Sequence, residues 1–145
     1  MKRLSIYLML LLVSAGCSKK KVAPLSERLQ RIWTANVVRE GGTMVYTKGG
    51  AANIRPGYVG FVLDLSSAAG VTLKDVDGSS VTGQWEVSSD EKRLILKGLT
   101  PPPSGTNGTI EFTIGTLTES QLTLVRTTTS LKTGGSINTY ELTSP

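Results

Sequence analysis

The chain contains no histidine, a single cysteine and only eight aromatic residues in 145. Without histidine, the usual Ser-His-Asp and Cys-His nucleophile arrangements are excluded, and most zinc sites lose a customary ligand. One cysteine permits no intrachain disulfide. No glycine-rich loop leads into Lys and Ser/Thr to cradle a phosphate. Ser66 and Ser67 do not stand in a Gly-x-Ser-x-Gly elbow. The main apolar run, Leu4 to Val13, is ten residues long and broken by Ser5, whereas a membrane-spanning helix takes about 20.

An excess of positive charge is present but misplaced for nucleic acid. Of 16 Lys and Arg residues, five are Lys2, Arg3, Lys19, Lys20 and Lys21. The other 11 are balanced by 11 Asp and Glu, all beyond residue 26. The part that folds is therefore neutral and has no basic stripe from which counterions would be released. Carboxylates are the only catalytic candidates left. Asp75 and Asp77 share one strand end, and Asp90 and Glu91 adjoin in a turn. Such pairs serve glycoside hydrolysis only at a suitable separation. Asp75-Val76-Asp77-Gly78 has no twelve-residue calcium-loop continuation. These residues read as solvated turns, and the sequence points to no enzyme, metal or cofactor.

What is present begins at the N-terminus. A basic head (Lys2, Arg3), a short apolar core and small residues at Ser14, Ala15 and Gly16 are the order of a secretory signal peptide. Ala15-Gly16-Cys17 resembles the bacterial lipobox, with Ser14 where leucine is usual. The resemblance implies cleavage before Cys17 and lipid attachment to its thiol, hence an anchor of several acyl chains, which holds stably. Ser18 is not the aspartate associated with inner-membrane retention, and Lys19 to Lys21 are not an acidic surface-export run. Both point to the outer membrane, facing the periplasm. The expected organisation is a signal peptide at 1–16, a lipidated cysteine and basic tether at 17–29, and one domain at 30–145. Leu25 to Ile32 forms either a helical turn with Leu25, Leu29 and Ile32 on one side, or the lead into the first strand.

Beyond Arg31 the hydrophobic period is two. Val81, Trp85 and Val87 share a face with Gly83, while Thr82, Gln84 and Glu86 face away. Over Tyr58 to Leu65, Val59, Phe61, Leu63 and Leu65 point one way, and Tyr58, Gly60, Val62 and Asp64 the other. Weaker runs at Ile32–Val38, Thr43–Thr47, Val71–Val76, Arg93–Lys97, Thr109–Leu117, Gln121–Thr128 and Ser136–Thr143 bring the count to nine. Thr43–Thr47 has the thinnest pattern. Turn signals separate the runs: Glu40-Gly41-Gly42, Asp77-Gly78, Ser89 to Lys92 and Gly134-Gly135. Two longer loops, Lys48 to Gly57 and Thr100 to Gly108, either border a ligand opening or simply join strands. Nine short strands without a long helix make an all-β domain, a sandwich or a closed barrel.

The segments Gly83-Gln84-Trp85-Glu86-Val87-Ser88-Ser89-Asp90 with Arg93-Leu94-Ile95-Leu96, and Ile114 to Leu124, together with Trp33 at the first strand, resemble the lipocalin-like lipoproteins of Bacteroidetes. The resemblance spans residues 30 to 143. It implies an antiparallel, lipocalin-like (calycin-type) barrel of about eight strands. Arg31-Ile32-Trp33 stands where lipocalins carry Gly-x-Trp. It also implies a structural stack of the Arg126 guanidinium on the Trp33 indole, a cation–π contact. Tyr58, Trp85 and Tyr140 are the candidate ligand-pocket or rim residues. The first functional expectation is a membrane-anchored domain that binds a small apolar or amphipathic ligand. The alternative is a structural module of the envelope that meets a protein or glycan and holds no internal ligand. The inward side chains leave both open: Val, Leu, Phe and Trp are large enough to fill a small barrel, while Gly83 and Thr116 leave room.

Overall fold

The computed structural model describes residues 21–145. The expected signal peptide at 1–16, with Cys17, Lys19 and Lys20, lies outside the described residues. Nine antiparallel strands carry the fold: β1 (Ile32–Glu40), β2 (Thr43–Thr47), β3 (Val62–Asp64), β4 (Gly70–Lys74), β5 (Ser80–Val87), β6 (Arg93–Thr100), β7 (Ile110–Leu117), β8 (Gln121–Arg126) and β9 (Asn138–Thr143). One short helix, α1 (Leu25–Leu29), precedes them, and 3-10 turns occupy Pro56–Gly60 and Leu131–Thr133. The order is β2-β1-β3-β4-β5-β6-β7-β8-β9, with β9 returning to pair with β1. That pairing closes eight strands into a barrel and excludes the sandwich. Closure removes the unpaired edges that an open sheet would expose.

β2 is the ninth strand, outside the ring. It has a physical reason to exist in the way β1 is shared. One edge of β1 runs along β9 from Thr34 to Glu40. The other edge serves β3 through Ile32–Thr34, then β2 through Val37–Glu40. A bulge between Ala35 and Val37 lies at the changeover, and bulges bend and twist a strand. It also resets the parity: Trp33, Ala35 and Val38 are all buried, a spacing that an unbroken period of two forbids. Gly41 and Gly42, both at positive φ, close the β1–β2 hairpin as the sequence predicts.

The interior is filled by the chain itself. Trp33, Leu63, Leu65, Leu94, Leu96, Ile110, Leu122, Leu124 and Leu142 are buried to 2% exposure or less. Phe61, Phe112, Tyr58, Tyr46 and Tyr140 form one aromatic cluster, with Phe61 stacked on Tyr140 at 5.1 Å between centroids. Several of the charges balanced in the sequence sit outside, paired across neighbouring strands: Arg39 with Glu141, Arg93 with Glu111, and Lys97 with Glu86.

Two strand expectations need correction. Tyr58 to Leu65 is not one strand: β3 holds only Val62–Asp64, and Pro56–Gly60 is a 3-10 turn. Phe61, Leu63 and Leu65 point inward as expected, but Val59 is 80% exposed and Tyr58 is 1% exposed. Pro56 fixes a backbone angle suited to a turn's first residue and donates nothing to a ladder. The turn then swings Tyr58, not Val59, into the barrel. Leu25 to Ile32 takes the helical option, but Ile32 belongs to β1 and is exposed rather than aligned with Leu29.

Candidate functional site

The barrel has two ends with different chemistry. The chain enters at the helix end. There α1 lays Leu29 against the core, and the Trp33 indole N–H donates to the Leu29 carbonyl at 3.0 Å. Arg28 and Arg31 donate to the Leu117 and Glu119 carbonyls at 2.7 and 2.6 Å, clamping the β7–β8 turn. Trp85 lies at this end too. Its indole donates to the Ser67 carbonyl at 2.9 Å, and it is 4% exposed. Both tryptophans are therefore core residues whose single polar atom is satisfied.

The opposite, free end collects the β1–β2 hairpin, the Lys48–Phe61 segment, the β4–β5 turn and the β8–β9 loop. Here buried polar groups concentrate. The Tyr58 hydroxyl donates to Glu40 Oε1 at 2.9 Å, and Arg55 Nε reaches Glu40 Oε2 at 3.3 Å. The 3-10 turn that carries Tyr58 sits hard against the β4–β5 turn: a Cβ on Gly57 would lie 2.3 Å from the Val76 carbonyl oxygen. Only glycine allows that approach. Lys132, from the β8–β9 loop, reaches Asp75 Oδ2 at 3.4 Å, Asp77 Oδ2 at 3.0 Å and Ser79 Oγ at 2.5 Å. Asn138 is fully buried. Its Nδ2 donates to Thr133 Oγ1 at 3.1 Å and to Tyr140 Oη at 3.2 Å, and its Oδ1 accepts from Ser136 at 2.6 Å.

The titration behaviour follows from these contacts. Burial drives the Tyr140 hydroxyl up to about 12, helped by the Asp75 and Glu40 carboxylates and opposed by Asn138 and Arg126. Burial pushes Tyr58 up further, with Tyr140 and Glu40 acting in the same direction. Both hydroxyls are thus held as donors. Burial works against the Asp77 carboxylate, but hydrogen bonds from Ser79 and Lys132 outweigh it and hold the group down at about 2.

Of the pocket candidates, the structure brings Tyr58 and Tyr140 together, edge-to-face at 6.3 Å, and leaves Trp85 at the other end. The expected Trp33–Arg126 stack is corrected by the register. Thr34 pairs with Thr143, and Val125 pairs with Thr139. Trp33 and Arg126 consequently occupy opposite ends of β9's length. Arg126 does keep the inward parity of Leu122 and Leu124, and is 5% exposed. Among the described residues it forms no ion pair, and its Nε is sealed without an acceptor. Asp75, expected as a solvated turn residue, is instead buried to 8% exposure. Lys132 was not singled out by sequence because 57 and 55 positions separate it from Asp75 and Asp77. No local pattern signals such a bridge.

One concavity of about 130 Å³ runs over β8 and β9 beside Asn36, Thr116 and Glu141. Another lies beside α1 against Trp85 and Glu86. A third, along β2, is lined by Met44, Tyr46 and Ile54 and meets the aromatic cluster at Tyr46. Among known proteins, no family model matches the chain, and no curated protein or solved structure matches it significantly.

Proposed function

We propose that the chain is a lipid-anchored envelope protein whose barrel works through its outer surface, as an interaction module for a protein or glycan partner. On this reading residues 1–16 are removed, Cys17 is acylated, and the tether to residue 29 holds the domain at the outer membrane, facing the periplasm. The lipocalin-like resemblance supplies the same architecture. The single observation that carries the choice of module is the occupied interior. A calyx for an apolar ligand needs inward space, and Trp33, Phe61, Tyr58, Phe112 and Tyr140 stand where that space would be. Of the two functional expectations, this reading takes the alternative.

The polarity of attachment supports it. The tether joins at α1, so the free end is the end of the barrel away from the attachment point. Residues 17 to 24 reach about 25 Å when extended. Among the described residues, five of the seven exposed large apolar side chains, Met44, Ile54, Val59, Leu131 and Ile137, belong to the free end or its flank. Apolar groups held out from the anchor favour a protein partner over a glycan.

A Cys17→Ser variant tests the anchor. It is expected to be recovered in the soluble periplasmic fraction, folded, while the parent stays with the membrane through a high-salt wash. A variant that remains membrane-bound after that wash would remove the acyl anchor from the proposal.

A further inference from the structure

The groove over β8 and β9 has walls of irregular backbone. Its polar lining is Asn36, Thr116, Gln121, Thr123, Glu141 and Thr143. Asn36 is the extra residue of the β1 bulge between Ala35 and Val37. Thr116 belongs to a second bulge, in β7 between Ile114 and Leu117. Bulges re-aim side chains, and these two flank the same pair of strands from opposite sides. The Asn36 wall is held in place by Lys48, whose N–H donates to the Asn36 carbonyl at 2.7 Å. On the β7 side Gly115 faces Thr123. A Cβ there would lie 3.3 Å from Thr123 Cβ, so a larger residue would press on the groove floor.

The lining has unused hydrogen-bond capacity and no free charge. Among the described residues, the side chains of Asn36, Thr116, Gln121 and Thr123 bond to no other group. Neighbouring hydroxyls are engaged: Thr34 donates to the Thr143 carbonyl, and Thr118 accepts from the Gln121 N–H. Arg39 neutralises Glu141. What remains is a set of amides and hydroxyls, each able to donate and to accept. Several occupants are disfavoured. An extended peptide docks by adding to an open strand edge, and β8 and β9 are paired on both sides. The adjoining Leu122 and Leu142 are turned inward at 1% exposure, so an apolar anchor finds no pocket. A phosphate would face Glu141 with no free cation to hold it.

We propose that this groove binds one pyranose ring of a neutral glycan. Sugar hydroxyls donate and accept, as the lining does, and the threonine methyls suit the C–H face of the ring. The volume of about 130 Å³ is below the roughly 300–1,000 Å³ of a site that encloses a drug-sized ligand. It fits a single ring of a chain that passes over the wall. The groove lies towards the helix end, separate from the apolar groups of the free end, and requires no acyl anchor. Its failure would leave the anchored module standing.

The test is nuclear magnetic resonance of the full chain in a sugar-free zwitterionic detergent, following the side-chain NH₂ groups of Asn36 and Gln121. Cellotriose, maltotriose and diacetylchitobiose are the probes, with glycerol as a small polyol and trialanine as a peptide. At least one sugar should shift both amides saturably, and glycerol and trialanine should not. Asn36→Ala and Gln121→Ala should each weaken binding about three- to tenfold, the scale of one hydrogen bond. Thr123→Trp fills the floor from the outer face and should abolish binding while the Leu124 and Leu142 methyl signals stay in place. Four results would overturn the site: sugar shifts that rise linearly and equally with those of glycerol, meaning an adventitious additive only; saturation unchanged in both alanine variants; no saturable response to any of the sugars; or saturation by trialanine in their place.

Discussion

The two ends of one barrel solve the same problem in opposite ways. At the helix end the indoles of two buried tryptophans and the half-buried Arg28 guanidinium each meet a backbone carbonyl: Trp33 with Leu29, Trp85 with Ser67, Arg28 with Leu117. At the free end, buried carboxylates, phenols and cations meet one another, and Arg126 meets none. A satisfied donor set fixes geometry and asks for nothing further. A partly satisfied one is where a binding partner gains most. The contrast separates an end closed by α1 from an end that keeps unspent hydrogen-bond capacity.

The comparison can be broken first at the helix end. Trp33→Ala removes a fully buried indole and its bond to Leu29, and should cost about 3–5 kcal/mol of stability in urea unfolding. A loss below about 1 kcal/mol would mean that α1 is not part of the cooperative core. At the free end the effects should be smaller and more local. Tyr58→Phe removes one donor to a nearly buried carboxylate and should cost about 1.5–3 kcal/mol, while hydrogen exchange at the helix end stays unchanged. Protection lost at both ends alike would collapse the distinction.

The smallest effect belongs to the Asp77–Lys132 contact. Asp77 has its carboxyl held at about 2, below its ordinary 3.8. A depressed folded value stabilises above the unfolded value and is lost as pH falls through the folded one. Its contribution is therefore complete above about pH 4 and gone below about pH 2. The carboxylate is 47% exposed, so water screens it, and Asp77→Asn should cost less than about 0.5 kcal/mol at neutral pH. Comparing acid unfolding of parent and variant checks the sign: the difference should vanish at low pH, not grow.

Much of the fold was legible because period two survives wherever strands are regular. β5 and β6 carry it plainly, and even the thin Thr43–Thr47 pattern is β2 with the same bounds. The pattern failed where the backbone left the pleat. The turn at Pro56–Gly60 exchanged the positions of Tyr58 and Val59, and the bulge in β1 let Ala35 and Val38 share a face. The candidate site was half legible. Tyr58 and Tyr140 were singled out as pocket or rim candidates, and they do meet. Arg126 carried the correct parity, but parity says nothing of height along the barrel. That height depends on the β8–β9 register, which placed it far from Trp33. The Lys132 bridge and the burial of Asp75 arise only when the β8–β9 loop folds over the β4–β5 turn.

The central claim is that the barrel is filled by its own side chains and acts from outside. Native mass spectrometry of the full chain, extracted from membranes in mild detergent, tests it most directly. The expected mass is the polypeptide from Cys17 with its covalent acyl chains, with no lipid-sized non-covalent addition. A reproducible lipid-sized extra mass that disappears on denaturation would contradict it and return the barrel to the ligand carriers.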